Sequence, residues 1–322
     1  MADLQTLISA RLAQKSWGML GNQGYVLGVD LGSYGLRAAL ADLEHYTVHT
    51  VHDDGFSGTP DQVVERAISL SRGLLAATTI DASRLVRVGV GFGGPVDLRH
   101  GTVRLSPRLT GWENYPLQER FEQAFDAVTL IDNDANLMAL GEATFGVGAG
   151  CQHLFYLHLS SGVGGGMVLN GRLYHGATST AGEIGHAVVG HGWDGTGRPE
   201  TLEELVSIAG LMRRAARYGL QTDNLETIFS ADVIGQRVVN ETVDLIATRC
   251  AQIVALVDPE MIVLGGIVVR IGGDGFINAI AEKVNTFIAP QFARPLPVVA
   301  SVLGSESVTV GAIATALDSL SD

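Results

Sequence analysis

The order of secondary-structure elements expected in the first half of the chain recurs in the second half. Residues 25–55 alternate apolar and polar side chains between turn formers, which predicts three short strands in a meander. A helix is expected over 60–79, where apolar residues recur at helical spacing. The second half repeats short strands over 153–176, followed by expected helices at about 202–218, 231–257, 276–288 and from 307 onward. Two similar halves predict two α/β lobes with a cleft between them.

With 322 residues, the chain is long enough for two domains, and no long Pro- or Ser-rich linker divides it. We therefore expect two tightly joined lobes behind a short N-terminal extension. The expected extension covers residues 1–24. The small α/β lobe covers 25–133 together with 306–322, and the large α/β lobe covers 134–305.

Charge and cysteine content disfavour several classes of protein. A formal net charge of -13, with no cluster of Lys and Arg, disfavours a nucleic-acid-binding surface. Cys151 and Cys250 cannot make a disulfide framework or a zinc knuckle, and reduced thiols fit the cytoplasm. The most apolar later stretch, residues 250–271, is interrupted by charged residues and a proline. We expect a cytoplasmic protein without a nucleic-acid or membrane partner.

The first candidate phosphate loop is the segment DLGSYGL, residues 30–36. A strand that ends in Asp30 runs into Gly32 and Ser33 at a turn, where backbone amides can approach phosphate oxygens. Asp30 would then lie beside a Mg²⁺ ion that bridges those oxygens. An ordinary hairpin with glycine at a positive φ explains the same residues, and taken alone the motif favours that simpler interpretation.

The second candidate phosphate loop is SSGVGGG, residues 160–166, which follows a predicted strand in the second half. Its Ser161, Gly162 and Gly164 could cradle phosphate oxygens, although a tight hairpin would use the same residues. One such loop in each half is what a nucleotide bound between two lobes would require. In the first half, Gly93 and Gly94 end another β-run, and a loop fixed by the following proline could face a ligand or be a plain turn.

A strand also delivers the polar run IDNDAN, residues 131–136, to its carboxyl end, where open α/β sheets usually place their ligands. One carboxylate of this run can accept a hydroxyl proton as a general base, while the neighbouring amide holds that hydroxyl in line. The alternative is a helix N-cap, a role that Asp and Asn often have. Because a glycine-rich loop follows closely along the chain, this run suggests phosphoryl transfer to a hydroxyl group.

The segment AGEIGH, residues 181–186, places Glu183 and His186 three positions apart, so that on a helical turn both could face one ligand. A carboxylate and an imidazole are suitable partners for sugar hydroxyls. A surface glutamate and a structural histidine are the commoner roles of such residues taken singly.

Together these motifs resemble the ROK family, which contains sugar kinases and sugar-responsive repressors and belongs to the actin-like ATPase superfamily. The resemblance covers roughly residues 25–320 and implies the two-lobed actin-like ATPase fold, of the ribonuclease H-like α/β type, with a central cleft. By this resemblance, DLGSYGLRAALADL corresponds to the first phosphate motif and SSGVGGG to the second. GVGFGGPVD corresponds to a loop on the sugar side. DPEMIVLGG resembles the adenosine-side segment, so that Gly265 and Gly266 would lie near the nucleotide.

The resemblance also implies roles for single residues. Asp134 matches the catalytic base, which takes the proton from the sugar hydroxyl that attacks the γ-phosphate. Asn133, Glu183, His186 and Glu203 match sugar ligands. The implied activity is a glucokinase-like, ATP- and Mg²⁺-dependent kinase acting on a hexose or an N-acyl hexosamine. A homodimer is implied as well.

Two departures from the family pattern affect these expectations. Asp194, Thr196 and Thr201 occupy the places of the three zinc cysteines, so we expect no structural zinc. Tyr34 and Gly35 stand where kinases of the family usually have Thr-Lys. Loss of the lysine removes a positive charge that could stabilise the transition state, and this change favours a regulator. A sugar-sensing regulator, or its derivative without a DNA-binding domain, is therefore the alternative function. Only 24 residues precede the first strand, too few for such a DNA-binding domain.

Overall fold

The structure is a computed structural model of the 322-residue chain. It describes residues 4–14, 24–32, 35–78, 82–104, 110–191, 197–230, 233–289 and 294–320. Contacts between residues divide the chain into two compact units. The first unit contains residues 1–150, 175–181 and 305–322, and the second contains 151–174 and 182–304. The contacts thus divide the chain after Gly150, whereas the sequence places the boundary after residue 133.

The described residues form short strands and helices, numbered in chain order. The strands are β1 Tyr25–Gly32, β2 Gly35–Asp42, β3 Thr47–Asp53, β4 Leu85–Phe92, β5 Val96–Asp97, β6 Thr102–Val103, β7 Thr129–Asn133, β8 Leu154–Leu159, β9 Val163–Leu169, β10 Arg172–Leu173, β11 Val188–His191, β12 Pro199–Thr201, β13 Met261–Gly265 and β14 Val298–Ala300. The helices are α1 Leu4–Gln14, α2 Pro60–Ala77, α3 Leu117–Phe125, α4 Asp134–Thr144, α5 Leu202–Val206, α6 Ile208–Arg217, α7 Leu225–Phe229, α8 Val233–Val257, α9 Ile267–Ile288 and α10 Ser307–Asp318.

The first unit contains a mixed sheet in the order β3-β2-β1-β4-β7. β1, β2 and β3 form the antiparallel meander predicted for residues 25–55, while β4 and β7 run parallel to β1. The helix predicted over 60–79 is confirmed as α2. Its start is fixed by a capping box between Thr59 and Gln62, with Pro60 in the first turn. The carboxyl ends of β1, β4 and β7 therefore meet at one edge of this sheet.

The second unit contains a mixed sheet in the order β10-β9-β8-β13-β14. β8 and β9 pair as a hairpin around the glycine-rich turn, and β13 and β14 run parallel to β8. The helix expected over 202–218 is broken at Ser207, whose side chain caps α6. The helix expected near 276–288 begins earlier, at Ile267, with a non-helical Gly273 inside it. Within the described ranges, no helix combines the length and apolar character needed to cross a membrane.

Glycines allow α10, the last helix of the first unit, to pack directly against the backbones of its neighbours. A methyl group on Gly28 of β1 would overlap the carbonyl oxygen of Thr309, and one on Gly89 of β4 would overlap that of Ala312. On the far side of α10, a methyl group on Gly311 would overlap the carbonyl oxygen of Leu137 in α4. Helix α10 is therefore held between the sheet and α4, with no space for side chains at these three points.

We predict that Gly89→Ala destabilises the protein by about 1–3 kcal/mol or more, because neither backbone can move away from the added methyl group without repacking. Gly73→Ala is the matched control, since Gly73 lies in α2 with nothing within 4 Å of the added methyl group. It should stabilise the protein by about 0.5–1 kcal/mol through helix propensity. Urea unfolding measures both changes, and equal effects of the two substitutions would contradict the packing described.

Candidate active site

Asn133 ends β7, and Asp134 begins α4 directly after it. The Asn133 Oδ1 atom accepts a hydrogen bond from the Ala135 amide at 2.9 Å, and the Asp134 Oδ1 atom accepts from the same amide at 2.8 Å. The Asn133 Nδ2 atom donates to the carbonyl oxygen of Gly94 at 3.1 Å. The structure thus brings Asn133 together with the loop of Gly93 and Gly94, and Asn133 is also the N-cap of α4.

Asp132 belongs to the same polar run, and the family resemblance gives it no role of its own. Its side chain is 3% exposed, and its Oδ1 atom accepts hydrogen bonds from the Asn133 amide at 2.7 Å and the Asn136 Nδ2 atom at 2.9 Å. Its Oδ2 atom lies 2.6 Å from the Nε2 atom of His175. The hydrogen bond to Asp132 raises the pKa of His175 above its ordinary value, although burial opposes this shift. No sequence pattern links two residues that lie 43 positions apart.

Asp30 lies in β1, directly opposite Arg37 of β2. Burial, followed by the charge of Asp134, raises the pKa of Asp30 to about 8, while Arg37 acts in the opposite direction. Within the described part of the chain, the Oδ1 atom of Asp30 is buried without a hydrogen-bond partner. A methyl group on Gly32 would come within 2.8 Å of this carboxylate, so the backbone there runs close to it. Ser33 and Tyr34 lie outside the described residues.

The surroundings of Asp30 fit a Mg²⁺ ion. A buried carboxylate oxygen without a donor and a second carboxylate that acts on it electrostatically both favour a bound cation. Magnesium usually takes one or two carboxylates and completes its shell with water and phosphate oxygens. Accordingly, a cluster of three or more His, Cys, Asp or Glu side chains is not required, and none of that kind occurs among the described residues.

In the second unit, the glycine-rich hairpin and the AGEIGH segment lie against each other. Ser160 and Gly162 close the hairpin turn through a backbone hydrogen bond of 2.9 Å, with Ser161 at its exposed tip. The Gly165 amide donates to the carbonyl oxygen of Gly182 at 2.9 Å. In addition, the Val163 amide donates to the Oε2 atom of Glu203 at 3.0 Å. Three separate motifs of the sequence therefore meet around β9.

Glu183 and His186 flank a single 3₁₀ turn, as their spacing predicts. The Nε2 atom of His186 lies 3.7 Å from the Oε2 atom of Glu183, and 67% of the His186 side chain is exposed. The two side chains therefore lie close to each other, and their binding to one ligand stays a prediction. Gly265 lies opposite His158 at the end of β13, and Gly266 continues at φ 96° into α9.

The segment that replaces the zinc cysteines is described only in part. Asp194 and Thr196 lie outside the described residues. Thr201 is the N-cap of α5, in a capping box with Glu204. Thr201, at the position of the family's third zinc cysteine, therefore stabilises the start of α5 through hydrogen bonds. The absence of zinc remains a prediction.

Comparison with known proteins identifies the family. The ROK family model matches residues 26–319. The chain belongs to the ROK family. Two similar curated relatives have different activities: a glucokinase of Thermotoga maritima, 29% identical, and a xylose repressor of Caldicellulosiruptor bescii, 26% identical. The first match covers 89% of this chain and 95% of the relative, and the second covers 92% and 79%. Membership by itself therefore does not decide between an enzyme and a regulator.

Solved structures of the ROK family confirm the expected actin-like ATPase fold. A ROK hexokinase from Thermus thermophilus has a TM-score of 0.82 and 27% identity, with 92% of this chain and 99% of that chain covered. A ROK glucokinase from Streptomyces griseus, in complex with glucose and AMPPNP, has a TM-score of 0.73 and 25% identity. That match covers 92% of this chain and all of the other.

We predict that Asp30→Asn stabilises the metal-free protein more at pH 8 than at pH 4. Near pH 4 the folded Asp30 carboxyl is protonated, and the unfolded carboxyl, with its ordinary pKa of 3.8, is only about half ionised. As the pH rises toward the folded pKa of about 8, the unfolded carboxyl ionises while the buried one keeps its proton. Wild-type stability is therefore lost across this range, by on the order of a few kcal/mol, and the variant avoids that loss.

Urea unfolding in EDTA at pH 4, 6 and 8 measures this difference in the free energy of unfolding. Asp126→Asn is the control, because the Asp126 side chain is exposed to solvent. Asp126 follows α3 with a left-handed backbone conformation, which asparagine also tolerates. An Asp30→Asn difference that stays constant from pH 4 to pH 8 would show that burial does not hold the proton on this carboxyl.

Proposed function

We propose that this protein is an ATP-dependent carbohydrate kinase that transfers the γ-phosphate to a hydroxyl of a hexose or an N-acyl hexosamine, with a glucokinase-like preference. The observation that carries the proposal is the pair of carboxylates in the first unit. Asp134 begins α4 beside Asn133, and its charge acts on the buried Asp30. A base beside a cation-binding carboxylate is the arrangement that phosphoryl transfer to a hydroxyl requires.

Asp134 is the proposed general base. Its carboxylate accepts the proton as the sugar hydroxyl attacks the γ-phosphorus atom, and the bond from that phosphorus to the bridging oxygen of ADP breaks. Asn133 positions the hydroxyl. One hydrogen of its Nδ2 atom bonds to Gly94, and the second can donate to the hydroxyl oxygen. Because Gly94 and Ala135 both bond to the Asn133 side chain, the amide is held in a fixed orientation.

The nucleotide side is proposed from the glycine-rich segments. Asp30 would hold the Mg²⁺ ion, with Gly32 and Ser33 beside it, and a bound ion neutralises charge on the phosphate oxygens. In the second unit, Ser161, Gly162 and Gly164 would bind phosphate groups through backbone amides. Gly265 and Gly266 would accommodate the adenosine. The Streptomyces griseus relative, bound to AMPPNP and glucose, supports ATP as donor and a sugar as acceptor.

Glu183, His186 and Glu203 are the proposed sugar ligands of the second unit. Glu183 and His186 share one 3₁₀ turn, and Glu203 is tied to the Val163 amide. Two carboxylates and an imidazole offer both acceptors and donors to hydroxyl groups. The homodimer implied by the family resemblance stays a prediction.

A second candidate function is a sugar-sensing regulator that binds the sugar without phosphorylating it. The similarity to a xylose repressor over 92% of the chain favours it, as does Gly35 at the position of the kinase lysine. We place it second because Asp134, Asn133 and Glu183 are all retained, although a retained site can still serve for binding alone.

We predict sugar-dependent ADP release in a coupled assay over a panel of hexoses and N-acyl hexosamines with Mg²⁺ and ATP. Asp134→Asn should lower kcat about 10²–10⁴-fold, because the general base is lost while the shape of the side chain is kept. Asp126→Asn should leave kcat unchanged.

Sugar-induced change in the melting temperature, measured on the same panel, separates the two functions. If sugars raise the melting temperature but no sugar gives turnover that depends on Asp134, the kinase proposal fails and the regulator takes its place.

A further inference from the structure

The carboxylate of Asp132 connects three parts of the first unit. One oxygen receives the Asn133 amide and the Asn136 side chain, and the other receives the imidazole of His175. Asn133 and Asn136 lie on either side of Asp134 along the chain. Asp132 therefore fixes the turn of chain that carries the proposed base.

The imidazole of His175 is the hydrogen-bond partner of the second oxygen of Asp132. The side chain of Asp132 is almost fully buried, so an oxygen that loses its hydrogen bond cannot gain water in exchange without a local rearrangement. The bonds from Asn133 and Asn136 both go to the Oδ1 atom, and the His175 bond goes to Oδ2. Loss of the imidazole would leave that charge less well satisfied, directly beside Asn133 and Asp134.

The backbone around His175 favours a defined position for its ring. Residues 175–181 pack with the first unit, although the chain on both sides of them belongs to the second. The Ala181 amide donates to the carbonyl oxygen of His175 at 3.2 Å and closes this segment into a loop. Gly176 follows His175 at φ 71°, a conformation that suits glycine.

We propose that His175 is a positioning residue: by donating a hydrogen bond to Asp132, it holds Asn133 and Asp134 in the geometry needed at the sugar hydroxyl. This inference rests on the proposed kinase function. The imidazole bonds to Asp132, and Asp132 in turn receives the Asn133 amide, so His175 acts on the base through Asp132.

The charge of His175 strengthens the bond. Asp132 is the charged group that raises the pKa of His175, and the neutral amide of Asn136 occupies the other oxygen of that carboxylate. A histidine with a raised pKa stabilises its partner fully below the ordinary pKa of histidine. That contribution is lost as the pH rises through the raised value.

The test compares His175→Leu, which removes the donor, with His175→Gln, which can keep a donor but loses the charge. His45→Leu is the matched control. The His45 Nδ1 atom lies 2.7 Å from an Asp42 carboxylate oxygen in the same unit, at the turn between β2 and β3. The first readout is hydrogen–deuterium exchange of the Asn133 and Ala135 amides, and the second is kcat and KM for the best sugar from pH 6 to pH 9.

In His175→Leu we expect faster exchange at Asn133 and Ala135 and a kcat lowered by about a hundredfold, with KM changed much less. His45→Leu should change neither. His175→Gln should recover part of the activity, and the ratio of wild-type kcat to His175→Gln kcat should be larger at pH 6 than at pH 9. If His175→Leu does not fold, exchange and this pH-dependent ratio in His175→Gln decide the test.

Two outcomes would overturn the proposal. Unchanged exchange at Asn133 and Ala135 would show that His175 does not hold this segment, and faster exchange with unchanged kcat would make its role merely structural. Failure of the proposed function is a separate result, in which the wild-type protein itself phosphorylates no sugar. In that case the exchange readout alone decides whether His175 positions the segment.

Discussion

Backbone contact between α10 and its neighbours is the constraint on which the geometry of the first unit depends. Gly28 and Gly89 bring α10 against β1 and β4, and Gly311 brings it against α4. These neighbours also carry the candidate site. β1 contains Asp30, and α4 begins at Asp134. Because close-packed backbones cannot slide without overlap, the packing that stabilises the unit also fixes where the two carboxylates stand.

Short-range signals explain how much of the fold could be predicted from the sequence. The meander over 25–55 and the start of α2 depend on neighbours within a few positions, through alternation and a capping box. The break at Ser207 could not be predicted from apolar spacing, since a single side chain ends one helix and caps the next. The helix expected near 276–288 is shorter than α9. The part of α9 that begins at Ile267 could not be predicted, because it contains glycines, which are weak helix formers.

In the candidate site, too, only features that depend on neighbouring residues in the sequence could be predicted. Asn133 and Asp134 could be predicted because a strand end followed by a polar run is a local pattern, for which a helix N-cap is the competing interpretation. The N-cap interpretation is confirmed, since the Asn133 Oδ1 atom caps α4, while the Nδ2 atom bonds to Gly94 and the role at a hydroxyl group stays a proposal. The bond between Asp132 and His175 could not be predicted, because it exists only once the loop of residues 175–181 has folded onto the first unit.

Gly35 stands where the family resemblance places a lysine, and its backbone conformation and surroundings suit glycine. Gly35 has φ 118°, and a methyl group there would approach the carbonyl oxygen of Asp53 to 2.8 Å. A lysine at this position would therefore be strained and crowded. The positive charge that acts on Asp30 comes instead from Arg37, directly opposite on β2 and paired with Glu306 at 3.8 Å. Replacing Gly35 by lysine would thus require a local backbone shift, either at Gly35 itself or at Asp53, which its side chain would crowd.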